Sequence, residues 1–198
     1  MRRNRNRINC SVVLLLASVG ASYSMAVEID DVQITREGRV YRAQLTFDVA
    51  ASVDQVASVL TDYEHPNRLT PDVTSREIVG RRSGVTRVRT EIHSCVVFFC
   101  KDVTLTQDVT VVAGAIKADI VPEESDFRSG YFLWSITSDD RGGSHIQYES
   151  VIELDFFIPP LIGGYFMRKR FRQQIFATAE NLEREAAREA APRANQDR

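Results

Sequence analysis

Residues 48–80 read DVAASVDQVASVLTDYEHPNRLTPDVTSREIVG, and this stretch decides the fold. Ser52 or Asp54 can cap a helix that runs through Leu60, because four apolar residues of this run share one helical face. Pro66 begins a shorter helix, which ends at the next proline. The stretch therefore predicts the end of a strand, two short helices joined by a turn, and the start of a new strand.

Strand-like segments lie on both sides of this stretch. Apolar and polar residues alternate within them, and glycines separate one segment from the next. A long helix is expected from about Leu161 to Ala190, and the polar residues 191–198 are expected to form a disordered tail. The predicted strands are residues 29–35 and 39–49 before the stretch, and 73–80, 84–95, 100–112, 115–121, 130–138 and 144–155 from its end onward.

The order strand, helix, helix, strands and long helix, together with the Asp62-Tyr63 turn, resembles the START-like (SRPBCC) superfamily. That group includes polyketide cyclases and dehydrases, coenzyme-Q-binding proteins and the birch-pollen-allergen fold. The resemblance extends over residues 29–190. It implies an α+β helix-grip fold, in which a curved antiparallel sheet wraps around the long C-terminal helix and leaves an apolar cavity. We therefore expect one START-like domain over residues 27–190.

Residues 1–26 are interpreted as a signal peptide. Four arginines precede the apolar run Ser11–Ala21, which is too short to span a bilayer, and Ser24-Met25-Ala26 places small residues at a cleavage site. An uncleaved N-terminal anchor is the alternative. Cleavage after Ala26 would leave 21 basic and 27 acidic residues, a net charge of about −6. This charge argues against a nucleic-acid partner, and the export signal predicts a bacterial periplasmic location.

The string HSCVVFFCKD contains the two cysteines of the mature chain, Cys95 and Cys100. On a straight strand their α-carbons would be roughly 16 Å apart, too far for a disulfide, so a bridge requires a hairpin turn between them. Pairing Cys95 with Cys100 places polar residues opposite each other on one face, such as His93 opposite Asp102, and mostly apolar residues on the other. A slip of one residue would destroy this separation. Because exported proteins meet oxidising conditions, we predict the disulfide.

A metal site is the rival interpretation of these cysteines. His93 and Cys95 would share a face, and His145 could join them. The chain has no second close pair of histidine or cysteine residues at ligand spacing. We therefore expect neither a metal nor a cofactor.

The apolar faces of the strands and of the last helix would line the cavity. Gln107, Tyr148 and Ser150 fall in registers that are otherwise apolar. A buried polar group without a partner costs roughly 1–3 kcal/mol, so each needs a partner, a water or a ligand. The candidate ligand contacts are Val88, Thr90, Ile92, Leu105, Gln107, Trp134, Tyr148, Ser150, Phe171 and Ile175.

Two further segments are candidates for contact with a membrane or an envelope protein. The hairpin tip, residues 96–99, is apolar, and residues 158–172, IPPLIGGYFMRKRFR, combine aromatic residues with cations near a helix N-terminus. A solvated helix face is the alternative for the second segment. The candidate contacts are Val97, Phe98, Phe99, Tyr165, Phe166, Arg168 and Lys169.

Three functions are consistent with these features. The leading hypothesis is an exported binding or carrier protein for a hydrophobic small molecule, such as a lipid or a quinone. The alternatives are a cyclase or dehydratase on the same fold and a module that docks on an envelope protein. Residues 62–66 offer acid–base groups, but Asp62 can instead cap the second helix, and His65 is typical of a surface turn. We therefore assign no catalytic residue.

Overall fold

Eight strands and two helices make up the part of the chain that the computed structural model describes, residues 29–96, 98–156 and 165–190. The predicted signal peptide, residues 27 and 28, the start of the predicted long helix and the predicted tail lie outside the described residues. The elements are β1 Ile29–Glu37, β2 Val40–Val49, α1 Val53–Leu60, β3 Val73–Arg82, β4 Val85–Val96, β5 Phe99–Val112, β6 Ala115–Ile120, a 3-10 turn Pro122–Glu124, β7 Phe127–Ser138, β8 Ser144–Leu154 and α2 Tyr165–Ala190.

The strands form one antiparallel sheet in the order β1-β2-β8-β7-β6-β5-β4-β3. The sheet is curved and does not close, and the long helix α2 packs against it, which confirms the predicted helix-grip architecture. Alternation along β2 shows how the sequence produces this arrangement. Tyr41, Ala43, Leu45, Phe47 and Val49 are all buried, whereas most residues between them are exposed.

The first short helix is confirmed, but the second is not a helix. At the start of α1, the Gln55 backbone N–H donates to Ser52 Oγ (3.4 Å) and the Ser52 backbone N–H donates to Gln55 Oε1 (2.9 Å). Residues 66–69, where this helix was predicted to begin, form turns instead. Asp62 does not cap a helix there, because its carboxylate accepts hydrogen bonds from the Glu64 backbone and from Arg68.

The predicted hairpin register is confirmed along its whole length. Cys95 lies opposite Cys100 and the two form a disulfide, and His93 lies opposite Asp102. Val88 and Thr90 lie on the other face of the hairpin, the face directed towards α2, and both are buried. The alternation of side chains therefore determines both the pairing and the face that each strand presents to the interior.

The sheet and α1 pack closely against α2 only along the C-terminal half of that helix. Ala179, Leu182 and Ala186 are at most 1% exposed and belong to the core formed with α1. In the N-terminal half, Phe171 and Ile175 face the sheet but are only half-buried. This difference leaves space between the first half of α2 and the sheet.

Neither helix of the described part of the chain has a segment with the length and the hydropathy that a membrane span requires.

Candidate ligand cavity

The space beneath the first half of α2 is a cavity of about 300 Å³. That volume lies at the lower end of the range for small-molecule sites. Strands β2 and β4–β8 supply most of its wall, which is predominantly apolar. The cavity lies where Phe171 and Ile175 on α2 are only half-buried against the sheet.

The cavity wall includes nine of the ten ligand contacts predicted from the sequence. The exception is Ser150, which is buried but does not reach the wall. Its short side chain lies between Ala43 and Phe132, its partners on the neighbouring strands. The nine lining residues are Val88, Thr90, Ile92, Leu105, Gln107, Trp134, Tyr148, Phe171 and Ile175.

Two pairs of aromatic side chains lie in or against the cavity wall, one on β7 and β8 and the other between β2 and α2. Trp134 packs against Tyr148 with ring centroids 4.5 Å apart, and Phe171 on α2 stacks on Tyr41 at 5.4 Å. Burial raises the pKa of Tyr148 to about 12. The Tyr148 hydroxyl therefore stays protonated near neutral pH and can donate a hydrogen bond.

The charged groups of the cavity wall lie on one side of it, together with several polar groups. The 61–76 segment, which comprises the turns after α1 and the start of β3, contributes Tyr63, Thr70 and Arg76, and α2 contributes Arg170 and Gln174. Among the described wall residues there is no aspartate, glutamate or histidine. The wall thus has hydrogen-bond donors and two cations, but it has no carboxylate or imidazole for acid–base catalysis.

Arg76 is a cavity residue that the sequence interpretation did not identify. It lies opposite Thr90 in the pairing of β3 with β4, so both residues face the cavity. Burial lowers the pKa of Arg76, an effect that the charge of Asp62 only partly offsets. Two bulges interrupt the pairing of β3, which is why alternation along its sequence could not reveal the inward residue.

Arg170 departs from its neighbours in the cationic run of α2. Arg168, Lys169 and Arg172 are exposed, as a solvated helix face requires, but Arg170 turns inward to the cavity. Arg170 Nη2 donates to the Asp72 carboxylate. Its Nε is buried and has no hydrogen-bond partner among the described residues. Gln174, one turn further along the helix, also lines the cavity, but the sequence does not distinguish the direction of Arg170 from that of its exposed neighbours.

Arg68 attaches the turns after α1 to the C-terminal half of α2. Its guanidinium bonds to Asp62 Oδ2 (2.6 Å) and to Glu185 Oε2 (2.8 Å), and a third bond reaches Glu189. Partial burial of Asp62 and Glu185 would raise the pKa of each carboxyl. Hydrogen bonds from His65, Arg68 and the Glu64 backbone outweigh burial at Asp62, so the pKa of its carboxyl is lower than usual. At Glu185, the hydrogen bond from Arg68 and the charges of Arg188 and Arg184 have the same effect on the pKa.

Replacing Arg68 with methionine is expected to lower the free energy of unfolding at neutral pH by about 2 kcal/mol, because two partly buried carboxylates lose a cation. In the folded state the pKa of both carboxyls is lowered. The stability that they contribute is therefore present above about pH 4.5 and is lost as the pH falls through the folded pKa. Urea unfolding across this range should show a steeper loss for the wild-type protein than for the variant.

The control for this experiment is Arg128→Met. Arg128 Nη2 pairs with Asp155 Oδ1 at 2.6 Å, a distance equal to that of the Arg68–Asp62 pair, but both side chains are about half exposed. Exposed pairs contribute little, so this variant should lose less than about 1 kcal/mol. Equal losses in the two variants would contradict the role of Arg68.

The candidate membrane contacts are gathered near one end of the cavity. Phe98 is 84% exposed at the hairpin tip, and Tyr165 and Phe166, at the start of the described part of α2, are 65% and 41% exposed. The hairpin end adjoins the cavity because Ser94 lines its wall and hydrogen-bonds to Asp72. Of the other predicted contacts, Arg168 and Lys169 are exposed, Phe99 begins β5, and Val97 lies outside the described residues.

The histidine and cysteines considered as a metal site lie together at the hairpin. The potential ligand atoms of His93, Cys95 and Cys100 are within 4.8 Å of one another. The two sulfurs are joined in the disulfide, so neither is a thiolate ligand in this state. His145, the third ligand considered, instead bonds to Asp48 on β2.

Comparisons with known proteins agree with this geometry. The profile of a family described as polyketide cyclase / dehydrase and lipid transport matches residues 41–187. No curated protein matches the sequence.

Three solved structures are similar in fold. The Zhui aromatase/cyclase from Streptomyces sp. R1128 has a TM-score of 0.64 and 17% identity, over 77% of this chain and 97% of that one. A STAR-related lipid transfer protein fragment from Xanthomonas axonopodis has a TM-score of 0.59 and 14% identity, over 80% and 99%. A START superfamily protein from Mycobacterium smegmatis has a TM-score of 0.59 and 18% identity, over 74% and 97%. At these identities the similarity shows the fold alone.

Proposed function

Because the chain belongs to the polyketide cyclase / dehydrase and lipid transport family, we propose that it binds and carries a hydrophobic small molecule, a lipid or a quinone-like compound. The observation that carries this proposal is the apolar cavity of about 300 Å³ beneath the first half of α2. An apolar wall with a few convergent polar groups is typical of a site for such a ligand.

The composition of the wall favours a carrier over a cyclase or dehydratase. Those reactions need a group that removes or supplies a proton close to the substrate. The described wall offers no carboxylate or imidazole, and the raised pKa of Tyr148 makes its hydroxyl a poor base near neutral pH. Glu149 and Glu153 are not part of the wall, and they hydrogen-bond to Tyr131 and to Ser129 instead.

The proposed location of the carrier is the bacterial periplasm. The signal-like residues 1–26 support export, and the disulfide between Cys95 and Cys100 suits an oxidising compartment. Mass spectrometry of the protein from a periplasmic extract should give a mature N-terminus at Val27. A full-length chain in the cytoplasmic fraction would contradict this location.

The exposed aromatic residues near the cavity support a contact with the membrane during ligand transfer. Phe98 is 84% exposed at the tip of a hairpin whose two strands the disulfide links. Tyr165 and Phe166 lie close in sequence to the exposed cations Arg168 and Lys169. The double variant Phe98→Ser and Phe99→Ser should sediment less with anionic phospholipid vesicles than the wild-type protein. Unchanged sedimentation would remove the hairpin tip from the proposal.

Ligand binding itself is tested with the purified protein. Solvent extraction followed by mass spectrometry should recover an apolar compound at close to one molecule per chain. After removal of that compound, the protein should bind the neutral dye N-phenyl-1-naphthylamine with a rise in fluorescence. A protein that repeatedly yields no apolar compound and does not bind the dye would overturn the proposed function.

A further inference from the structure

We propose that Arg76 and Arg170 bind the anionic head group of the ligand, a carboxylate or a phosphate, while its apolar chain lies in the cavity. This inference rests on the proposed function and narrows the ligand to an amphiphile with a negatively charged end. It follows from the two cations in the wall, from their incomplete pairing and from the position of both cations on the side of the cavity formed by the 61–76 segment and α2.

Arg76 is a cation that the described protein does not neutralise. No described carboxylate lies within ion-pair distance of its guanidinium. Asp62 is the acidic group whose charge favours the cation, but its carboxylate already accepts hydrogen bonds from Arg68 and His65. A partly buried charge without a counter-ion is unfavourable. A negatively charged ligand in the cavity would remove this penalty.

Arg170 is only partly neutralised, and it retains a donor for a ligand. The Asp72 carboxylate accepts from Nη2 of Arg170 and also from the Ser94 hydroxyl. The Nε of Arg170 is buried and unbonded among the described residues, so one donor of its planar guanidinium is unused in the structure. Carboxylate and phosphate groups present two oxygens at the spacing of such a fork.

The charges at this side of the cavity sum to one positive charge. Arg76 and Arg170 contribute two positive charges, and Asp72 contributes one negative charge. A head group with a single negative charge would therefore neutralise the site. A neutral quinone would leave the positive charge unbalanced, so the inference favours an anionic lipid over a quinone.

The arrangement of the wall gives the ligand a direction. The 61–76 segment and α2 supply both arginines and the polar groups of Tyr63, Thr70 and Gln174 on one side. The opposite wall, from strands β4–β8, has no charged side chain among the described residues; it is mainly apolar, with residues such as Val109 and Phe132, and its polar groups are the uncharged Thr90, Ser94, Gln107 and Tyr148. A head group would lie between β3 and α2, and the chain would extend beneath the strands.

The test compares ligands that share a chain but differ in charge. Dodecanoate, dodecyl phosphate and uncharged dodecan-1-ol would each displace N-phenyl-1-naphthylamine from the extracted full-length protein. At least one anion should bind about tenfold or more tightly than the alcohol, because hydrogen bonds to a charged group are stronger than those to a hydroxyl. The anion that binds more tightly shows whether the site prefers a carboxylate or a phosphate head group.

Substitutions then locate the preference. Arg76→Gln and Arg170→Gln should each reduce the affinity for the preferred anion about tenfold and leave the affinity for dodecan-1-ol unchanged. Arg82→Gln on β3 and Arg172→Gln on α2 are matched controls, because both arginines are exposed and neither lines the cavity. Both controls should retain the preference for the anion.

Two results would overturn the inference while leaving the proposed function in place. One is equal binding of the alcohol and both anions to the wild-type protein, and the other is an undiminished anion preference in the Arg76→Gln variant. The Arg170→Gln variant loses its bond to Asp72 and could therefore fail to fold. The Arg76→Gln variant removes no ion pair among the described residues, so it tests the inference independently of the Arg170 variant. Failure of the dye itself to bind would instead contradict the proposed function.

Discussion

Substitution of Ala118 by tryptophan is expected to reduce ligand binding at least about a hundredfold while the protein remains folded. Ala118 on β6 is 9% exposed and lines the cavity between its partners Val109 and Phe132. An indole at this position would occupy the space that the ligand needs, so the ligand would lose most of its apolar contact area. Binding of N-phenyl-1-naphthylamine to the extracted protein measures the effect.

The matched control is Lys117→Trp, one residue earlier on the same strand. The Lys117 side chain is half exposed on the opposite face of the sheet, where it pairs with Asp119. This variant should bind the dye normally, because its indole would point away from the cavity. Overpacking in the Ala118 variant should cost about 1–3 kcal/mol of stability, which circular dichroism and thermal unfolding would report. Normal dye binding by a folded Ala118→Trp protein would show that the ligand site lies elsewhere.

Substitution of Gly130 by alanine is expected to have the largest effect on stability, a loss of about 4 kcal/mol or more. Gly130 on β7 has φ of +144°, a backbone conformation that side chains disfavour. A Cβ placed there would lie 2.1 Å from the Val151 carbonyl oxygen and 2.9 Å from the Ile152 Cα. Both atoms are backbone of the neighbouring strand, so relief of the overlap would require β7 and β8 to separate. Urea unfolding measures the loss.

Gly142→Ala separates the overlap from the cost of the backbone conformation. Gly142 also has a positive φ, of +85°, but a Cβ there would meet no atom within 4 Å. Alanine at this position should therefore cost only about 1–2 kcal/mol. Similar losses in the two variants would contradict the close approach at Gly130. Because β7 carries Phe132 and Trp134 into the cavity wall, the Gly130 variant should also bind ligand poorly.

The strand pattern and the hairpin register were predictable because both depend on near neighbours. Side chains alternate with a period of two, so a disulfide between Cys95 and Cys100 leaves one register that separates polar from apolar residues. The same alternation predicted the seven strand residues that line the cavity, and helical spacing predicted Phe171 and Ile175. The first helix was predictable for a similar reason, since Ser52 and Gln55 form its capping box within a single turn.

The predicted second helix shows where local signals fail. Asp62 and Pro66 suit a helix start, but Asp62 instead binds Arg68, and Arg68 also binds Glu185 far along the chain. Those ion pairs form only when α2 lies beside the turns. Ser150 is a similar case, since its alternation was read correctly but its neighbours on β2 and β7 cover it.

Local alternation of side chains was sufficient to predict the order of the strands along the chain, the pairing of the central hairpin and the apolar faces that enclose the cavity. Which cations face that cavity could be seen only in the folded protein. Arg76 turns inward between two bulges of β3, and Arg170 turns inward from a run of exposed cations. The first direction depends on how the bulges set the register of β3 against β4, and the second accompanies the ion pair of Arg170 with Asp72, so no short stretch of sequence encodes either.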